Sequence, residues 1–208
     1  MTTLLQKPPR KPKKGFDPDF RFTVVQYQKM IAQGIIAPGA RIELLDGKVV
    51  NKMARNPAHD TSLTLAQHEL SPLVMPEWYL RIQMAIVAGA HSQPEPDIAV
   101  VFAPASRYAK QHPGAKDVGM LVEVADSTPL DDRRDKAPIY AGGRIPWYWI
   151  VNVAEKIVEV YTDPKGGAAP EYRKRLDYGL DTKVPVILTG KTLGHIEVSK
   201  LFPAEAEK

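Results

Sequence analysis

Along the chain the apolar positions change period, and each change marks a predicted element. A helix is predicted over roughly Thr23–Gln33, with Thr23 as its N-cap and Gly34 as its stop. The run Arg41–Met53 has two β-rich arms around Asp46-Gly47, the strongest hairpin signal in the chain. Apolar residues return at a period near 3.6 in Leu63, Ala66 and Leu70, predicting a helix over about Ala58–Leu70. Strands are predicted at Trp78–Ala88 and Asp97–Phe102, separated by a loop at Ala103–Asp117 from a buried strand at Val118–Val124. Two further strands, Trp147–Val153 and Lys156–Thr162, join at Ala154-Glu155. Weaker strand signals follow at Tyr172–Leu176, Lys183–Leu188 and Gly194–Val198. The mixture of strands with two or three helices predicts an α/β layered fold on a mixed sheet.

One position breaks this pattern. Glu123 lies inside the apolar run Val118–Val124, where a carboxylate is costly unless something positive meets it. A helix should follow at once: Thr128 is a good N-cap, Pro129 suits the first turn, and Asp131 completes a capping box. Asp131 and Asp132 favour the positive end of that helix, and Gly142-Gly143 end it. Pro138 falls inside it and should kink or weaken the turn that carries Lys136.

Composition narrows the picture. With 44% hydrophobic and 25% charged residues, the 208-residue chain is an ordinary globular one. It has no cysteine, which excludes thiolate catalysis and Cys-zinc sites and suits a reducing cytoplasm. No apolar run is long enough to span a membrane, and the N-terminus lacks the apolar core of a secretory signal. The net charge of +4 is unevenly spread: residues 1–16 hold five basic residues and no acid, and the other 192 carry 23 basic and 24 acidic. Residues 1–19 are therefore expected to be a disordered basic, Pro-rich tail, a phosphate-attracting arm or a solubilising leader. Residues 20–200 are expected to form one domain, and 201–208 a short C-terminal tail.

The chemistry centres on two acids at strand positions, Asp97 in Pro94–Phe102 and Glu123. Carboxylates on neighbouring strands repel, and a divalent cation resolves the conflict. This arrangement resembles the PD-(D/E)xK nuclease superfamily, with Pro96-Asp97 followed by Glu123 on a later strand. The superfamily's lysine would fall at Ala125, so it is absent there, and Lys136 on the next helix is the candidate to replace it. The phrases IELLDGKVV (42–50), PEPDIAVV (94–101), LVEVADST (121–128), DRRDKAPIYA (132–141), PWYWIVN (146–152) and IVEVY (157–161) together resemble the Uma2-type endonucleases over roughly residues 20–162. The resemblance implies a restriction-endonuclease-like core, a mixed β-sheet flanked by helices, with extra C-terminal strands. It implies Asp97 and Glu123 as ligands of Mg²⁺ or Mn²⁺, Glu43 as an additional acid, and Lys136 as the residue that supports the attacking water. His59, Arg133 and Tyr140 are possible substrate contacts. Asn152 stands where the family often has Asp, and is read as a turn residue.

Plainer readings stand beside these. Asp97 and Glu123 could be buried acids paired with Arg133 or Arg134, Lys136 an exposed helix lysine, and Glu43 a cross-strand partner of Lys48 or Arg41. Tyr140 could be a packed helix tyrosine, and His59 could have only a local role at the helix start. Trp147 and Trp149 share one face of a strand and should pack in the core. No serine-hydrolase elbow or phosphate-binding glycine loop is present. The expected function is a metal-dependent endonuclease acting on DNA, RNA not excluded, as a cytoplasmic homodimer away from membranes. The alternatives are a nucleic-acid-binding or assembly module on the same fold, and a phosphohydrolase of small phosphoesters.

Overall fold

Two-residue turns need a left-handed backbone, and Asp46 and Gly47 supply it with φ of 46° and 73°. They join β1 (Ile42–Leu45) to β2 (Lys48–Asn51). A side chain at position 47 would also strike Arg21, whose Cβ lies 2.5 Å from where that chain would begin. The computed structural model describes residues 20–52, 54–126 and 132–204. The hairpin packs against helix α1 (Val24–Ala32), where Val24 and Tyr27 meet Leu44. Thr23 caps α1 through a full capping box with Gln26.

The centre is a six-stranded sheet in the order β3 (Trp78–Ile82), β4 (Ile98–Phe102), β5 (Val118–Ala125), β6 (Trp147–Asn152), β7 (Ile157–Lys165) and β8 (Glu171–Gly179). All neighbours are antiparallel except β5 and β6, which are parallel. A parallel pair needs a crossover, and the chain between β5 and β6 supplies it. Its described part is a π-helical turn at Asp132–Lys136 running into the short helix α3 (Ala137–Gly142).

The sheet buries both faces. Valines 100, 122, 124, 151, 158 and 160, with Trp149, face helix α2 (Pro57–Val74) and the hairpin β9 (Lys183–Leu188)–β10 (Lys191–Glu197). Trp147 packs on this same core, as the alternation of the strand predicts. The opposite face presents Ala99, Leu121, Ala125, Tyr148 and Ile150 to Ala137 and Tyr140 of α3.

Several expected boundaries moved. The strand expected over Trp78–Ala88 ends at Ile82, because Gln83 turns left-handed with φ 52°. Helix α2 runs one turn beyond Leu70, carrying Val74 into the core past Pro72. Pro138 does not kink a continuous helix: it lies in the first turn of α3, where no backbone donor is required. The π turn Asp132–Lys136 stands directly before it. The expected cap at Thr128, Pro129 and Asp131 lies outside the described residues. The packed body also extends past residue 200, since Leu201 and Phe202 are buried. The hairpin β9–β10 does not extend the sheet but covers it, and Gly194 allows Leu73 of α2 to approach.

Candidate active site

The antiparallel register of β4 and β5 pairs Ile98 with Val122. One step further along that register puts Asp97 opposite Glu123, both buried and on the face that carries α3. The Asp97 amide donates to Glu123 Oε2 (3.4 Å), and the Val124 amide donates to Asp97 Oδ2 (2.9 Å). Strand pairing alone thus brings the two carboxylates together.

Other elements then close around them. His59, in the first turn of α2, places Nε2 3.2 Å from Asp97 Oδ2 and Nδ1 3.3 Å from Asp60. Asn56 caps that turn by accepting from the His59 amide (2.9 Å), and its own amide donates to Asp126 at the end of β5. The left-handed turn at Gln83 returns its side chain to donate to Asp97 Oδ1 (3.1 Å). Burial works against a charged Asp97, but the hydrogen bond and charge of His59, with the Val124 amide and Gln83, hold its carboxyl below the usual value. Burial likewise works against a charged His59, yet Asp97 and Asp60 raise it above its ordinary value.

Tyr140 and Lys136 both meet Glu123. Tyr140 of α3 donates to Oε1 at 2.7 Å, and Lys136 Nζ lies 3.0 Å from the same oxygen. Lys136 also lies 4.0 Å from Glu43 Oε1, while Glu43 Oε2 accepts from the Glu95 amide (2.9 Å). Glu43 is therefore not the cross-strand partner of a hairpin cation; it is buried beside Lys136. Asp97, Glu123, Lys136, Glu43 and His59 all line one cleft of about 680 Å³. Ala125, where the superfamily's lysine would stand, is buried under α3 in the same apolar cluster as Ala137. A small residue there lets the crossover sit close enough for Lys136 to reach Glu123.

Two residues expected as possible substrate contacts, Tyr140 and Arg133, are engaged with carboxylates of the sheet. Tyr140 is fully buried, and burial with the charge of Glu123 pushes its phenol well above the ordinary value, so it remains a proton donor to Glu123. Arg133 does not line the cleft. It forms a two-pronged pair with Glu159 on β7, which is fully buried. Arg133 is therefore the partner of the buried acid Glu159. Asn152 combines the expected turn, accepting from the Glu155 amide, with a hydrogen bond to Glu159 (3.1 Å). The roles of Gln83, Asn56, Asp126 and Glu159 were not foreseen. Only Glu159 had a signal, since it repeats the Val-Glu-Val of Glu123.

The Uma2 family model, described as "Putative restriction endonuclease", matches residues 24–187. This chain belongs to the Uma2 family. A solved structure described as a "putative nuclease belonging to DUF820 from Anabaena variabilis" superposes on this Uma2 chain with a TM-score of 0.62. The two are 16% identical, and the match covers 87% of this chain and 97% of the other. It establishes the fold, a six-stranded mixed sheet flanked by helices with added C-terminal strands. No curated protein matches the chain. No helix among the described residues is long and apolar enough to cross a membrane.

The donor chemistry of the Uma2 cleft suits a hard divalent cation. Asp97, Glu123 and Glu43 offer only carboxylate oxygens. Among the described residues no three His, Asp or Glu side chains form a ready-made cage. Mg²⁺ does not require one, because it is commonly held by one or two carboxylates and completes its shell with water.

Proposed function

We propose that this Uma2 protein is a metal-dependent endonuclease that hydrolyses phosphodiester bonds in DNA. The observation behind this reading is the meeting of Asp97, Glu123 and Lys136, from three separate elements, at the floor of one cleft. Asp97 and Glu123, with Glu43 beside them, would hold Mg²⁺ or Mn²⁺. The bound metal supplies Lewis-acid polarisation of the phosphate and a more acidic water. The protein's own groups do the rest. His59, Gln83 and the Val124 amide fix the orientation of Asp97. Lys136 brings a positive charge to the carboxylate pair, where it can orient the attacking water and offset charge developing on the phosphate. Arg55 and Arg134 on the cleft wall can meet backbone phosphates flanking the scissile bond. Cleavage should then weaken steeply between low and physiological salt. Cutting both strands of a duplex calls for two such sites, so we propose a homodimer as the working form.

The deciding experiment is nicking of supercoiled plasmid by wild type and Asp97→Ala with Mg²⁺, Mn²⁺ or EDTA. Nicking that requires the metal and disappears in the variant supports the reading. Absence of cleavage on DNA and RNA by folded, metal-supplemented protein would leave a binding or assembly module. Equal turnover of small phosphodiesters and plasmid would indicate a general phosphohydrolase. Linear product accumulating with protein concentration, alongside a dimer in sedimentation, would support paired action.

A further inference from the structure

The sheet register places two buried glutamates in one row. Glu123 on β5 pairs with Ile150 on β6, and Ile150 pairs with Glu159 on β7. The two carboxylates thus leave the same face of the sheet, two strand spacings or roughly 10 Å apart. One short stretch of chain lies across both. Arg133 grips Glu159, and three and seven residues later Lys136 and Tyr140 contact Glu123.

The Glu159 end is saturated. Besides Arg133, Tyr161 donates to its Oε2 (2.7 Å), Asn152 to its Oε1 (3.1 Å), and Arg175 lies 3.4 Å away. Burial alone would raise the Glu159 carboxyl, but these partners hold it below the usual value. A carboxylate with its lone pairs so fully engaged has little capacity left for a substrate. Its fork with Arg133 is also directional, since a planar guanidinium on a carboxylate fixes orientation as well as distance.

The opposite end of the stretch has an irregular backbone. Lys136 belongs to a π-helical turn rather than to a regular helix, and α3 that follows is only six residues long. A helix so short gains little stability from its own hydrogen bonds. Where this turn sits is decided by what ties it to the sheet, and Arg133 lies within the turn itself.

We propose that the Arg133–Glu159 pair is a positioning device that holds Lys136 at the Glu123 carboxylate. It acts through Lys136 without touching substrate, and its catalytic consequence rests on the nuclease reading above.

Two measurements on the full chain test it. The first needs no activity. Lys136 is labelled with an acetylating reagent and its modification rate read by peptide mass spectrometry in wild type, Arg133→Lys and Arg133→Ala. Wild-type Lys136 should react slowly, the Ala variant several-fold faster, and the Lys variant between them; equal rates in all three overturn the proposal. If Arg133→Ala does not fold, Arg133→Lys carries the test, because it keeps the charge and loses the fork. The second measurement is a double-mutant cycle on nicking. Arg133→Ala should lower kcat about 10- to 100-fold with little change in KM, the range for losing a supporting partner. In a Lys136→Ala background the same change should cost less than about twofold. Equal losses in both backgrounds would show that Arg133 acts through general stability instead. Should wild type fail to nick while Lys136 still becomes reactive in Arg133→Ala, the nuclease reading falls and the positioning device stands.

Discussion

Residues 122–124 and 158–160 are the same three amino acids, Val-Glu-Val, on strands separated by one neighbour. In both, the valines enter the core under α2 and the glutamate points to the face covered by the crossover. Local structure cannot distinguish them, yet they have different surroundings. Glu159 is enclosed by two arginines, a tyrosine and an asparagine. Glu123 shares its space with a second carboxylate, one lysine and one tyrosine, at the floor of an open cleft. The comparison teaches that a buried acid ringed by arginines serves as an anchor, whereas one set beside a second acid in a cleft is a candidate reactive group.

Substitutions at the two positions should therefore fail in opposite ways. The largest effect belongs to Glu123→Gln. Its plasmid nicking should fall about 10³-fold, the size expected on losing one preorganised electrostatic group. Its stability to urea should stay within about 1 kcal/mol of wild type. A stable variant with unchanged nicking would remove Glu123 from the mechanism.

Glu159→Gln should instead lower stability by about 3 kcal/mol, because it breaks a charge pair whose carboxylate is fully buried and leaves the half-buried Arg133 without its counter-charge. This loss has a pH signature. The folded protein holds the Glu159 carboxyl below its usual value, whereas in the unfolded chain it titrates near about 4.3. Its contribution is thus fully present above that pH and is lost as pH falls through the lower folded value. Urea unfolding from about pH 6 to about pH 3 should show the gap between wild type and variant narrowing towards acid. A constant gap would mean that the pair's charge is not what stabilises it.

Tyr140→Phe should have a smaller effect of both kinds. Removing its hydroxyl deletes the 2.7 Å hydrogen bond to Glu123, at about 1 kcal/mol of stability and about tenfold in kcat. A loss in stability without one in kcat would make Tyr140 a packing residue only. Smallest of all, Pro138→Ala should move stability by no more than about 0.5 kcal/mol, because position 138 has no helical donor to lose. A large change in nicking there would show that the ring itself sets the π turn.

Chain order alone was enough for the features that repeat or terminate locally. The Asp46-Gly47 turn, the Thr23 capping box and the apolar runs of β4, β5 and β6 follow from steric, hydrogen-bonding and burial preferences acting within a few residues. Two acids, Asp97 and Glu123, were visible for the same reason: one borders an apolar run and the other interrupts one. Folding was needed to say which partner each acid meets. Arg133 and Lys136 are three residues apart with similar charge, and nothing local assigns one to Glu159 and the other to Glu123. That choice depends on where the β5–β6 crossover lands, on Ala125 leaving room beneath it, and on a row of residues linked only by strand register. Gln83 reached Asp97 through a left-handed turn that no residue in the stretch announces. Periodicity and capping are short-range and written in consecutive residues. Charge pairing across a sheet is long-range, and it exists only once the strands have chosen their neighbours.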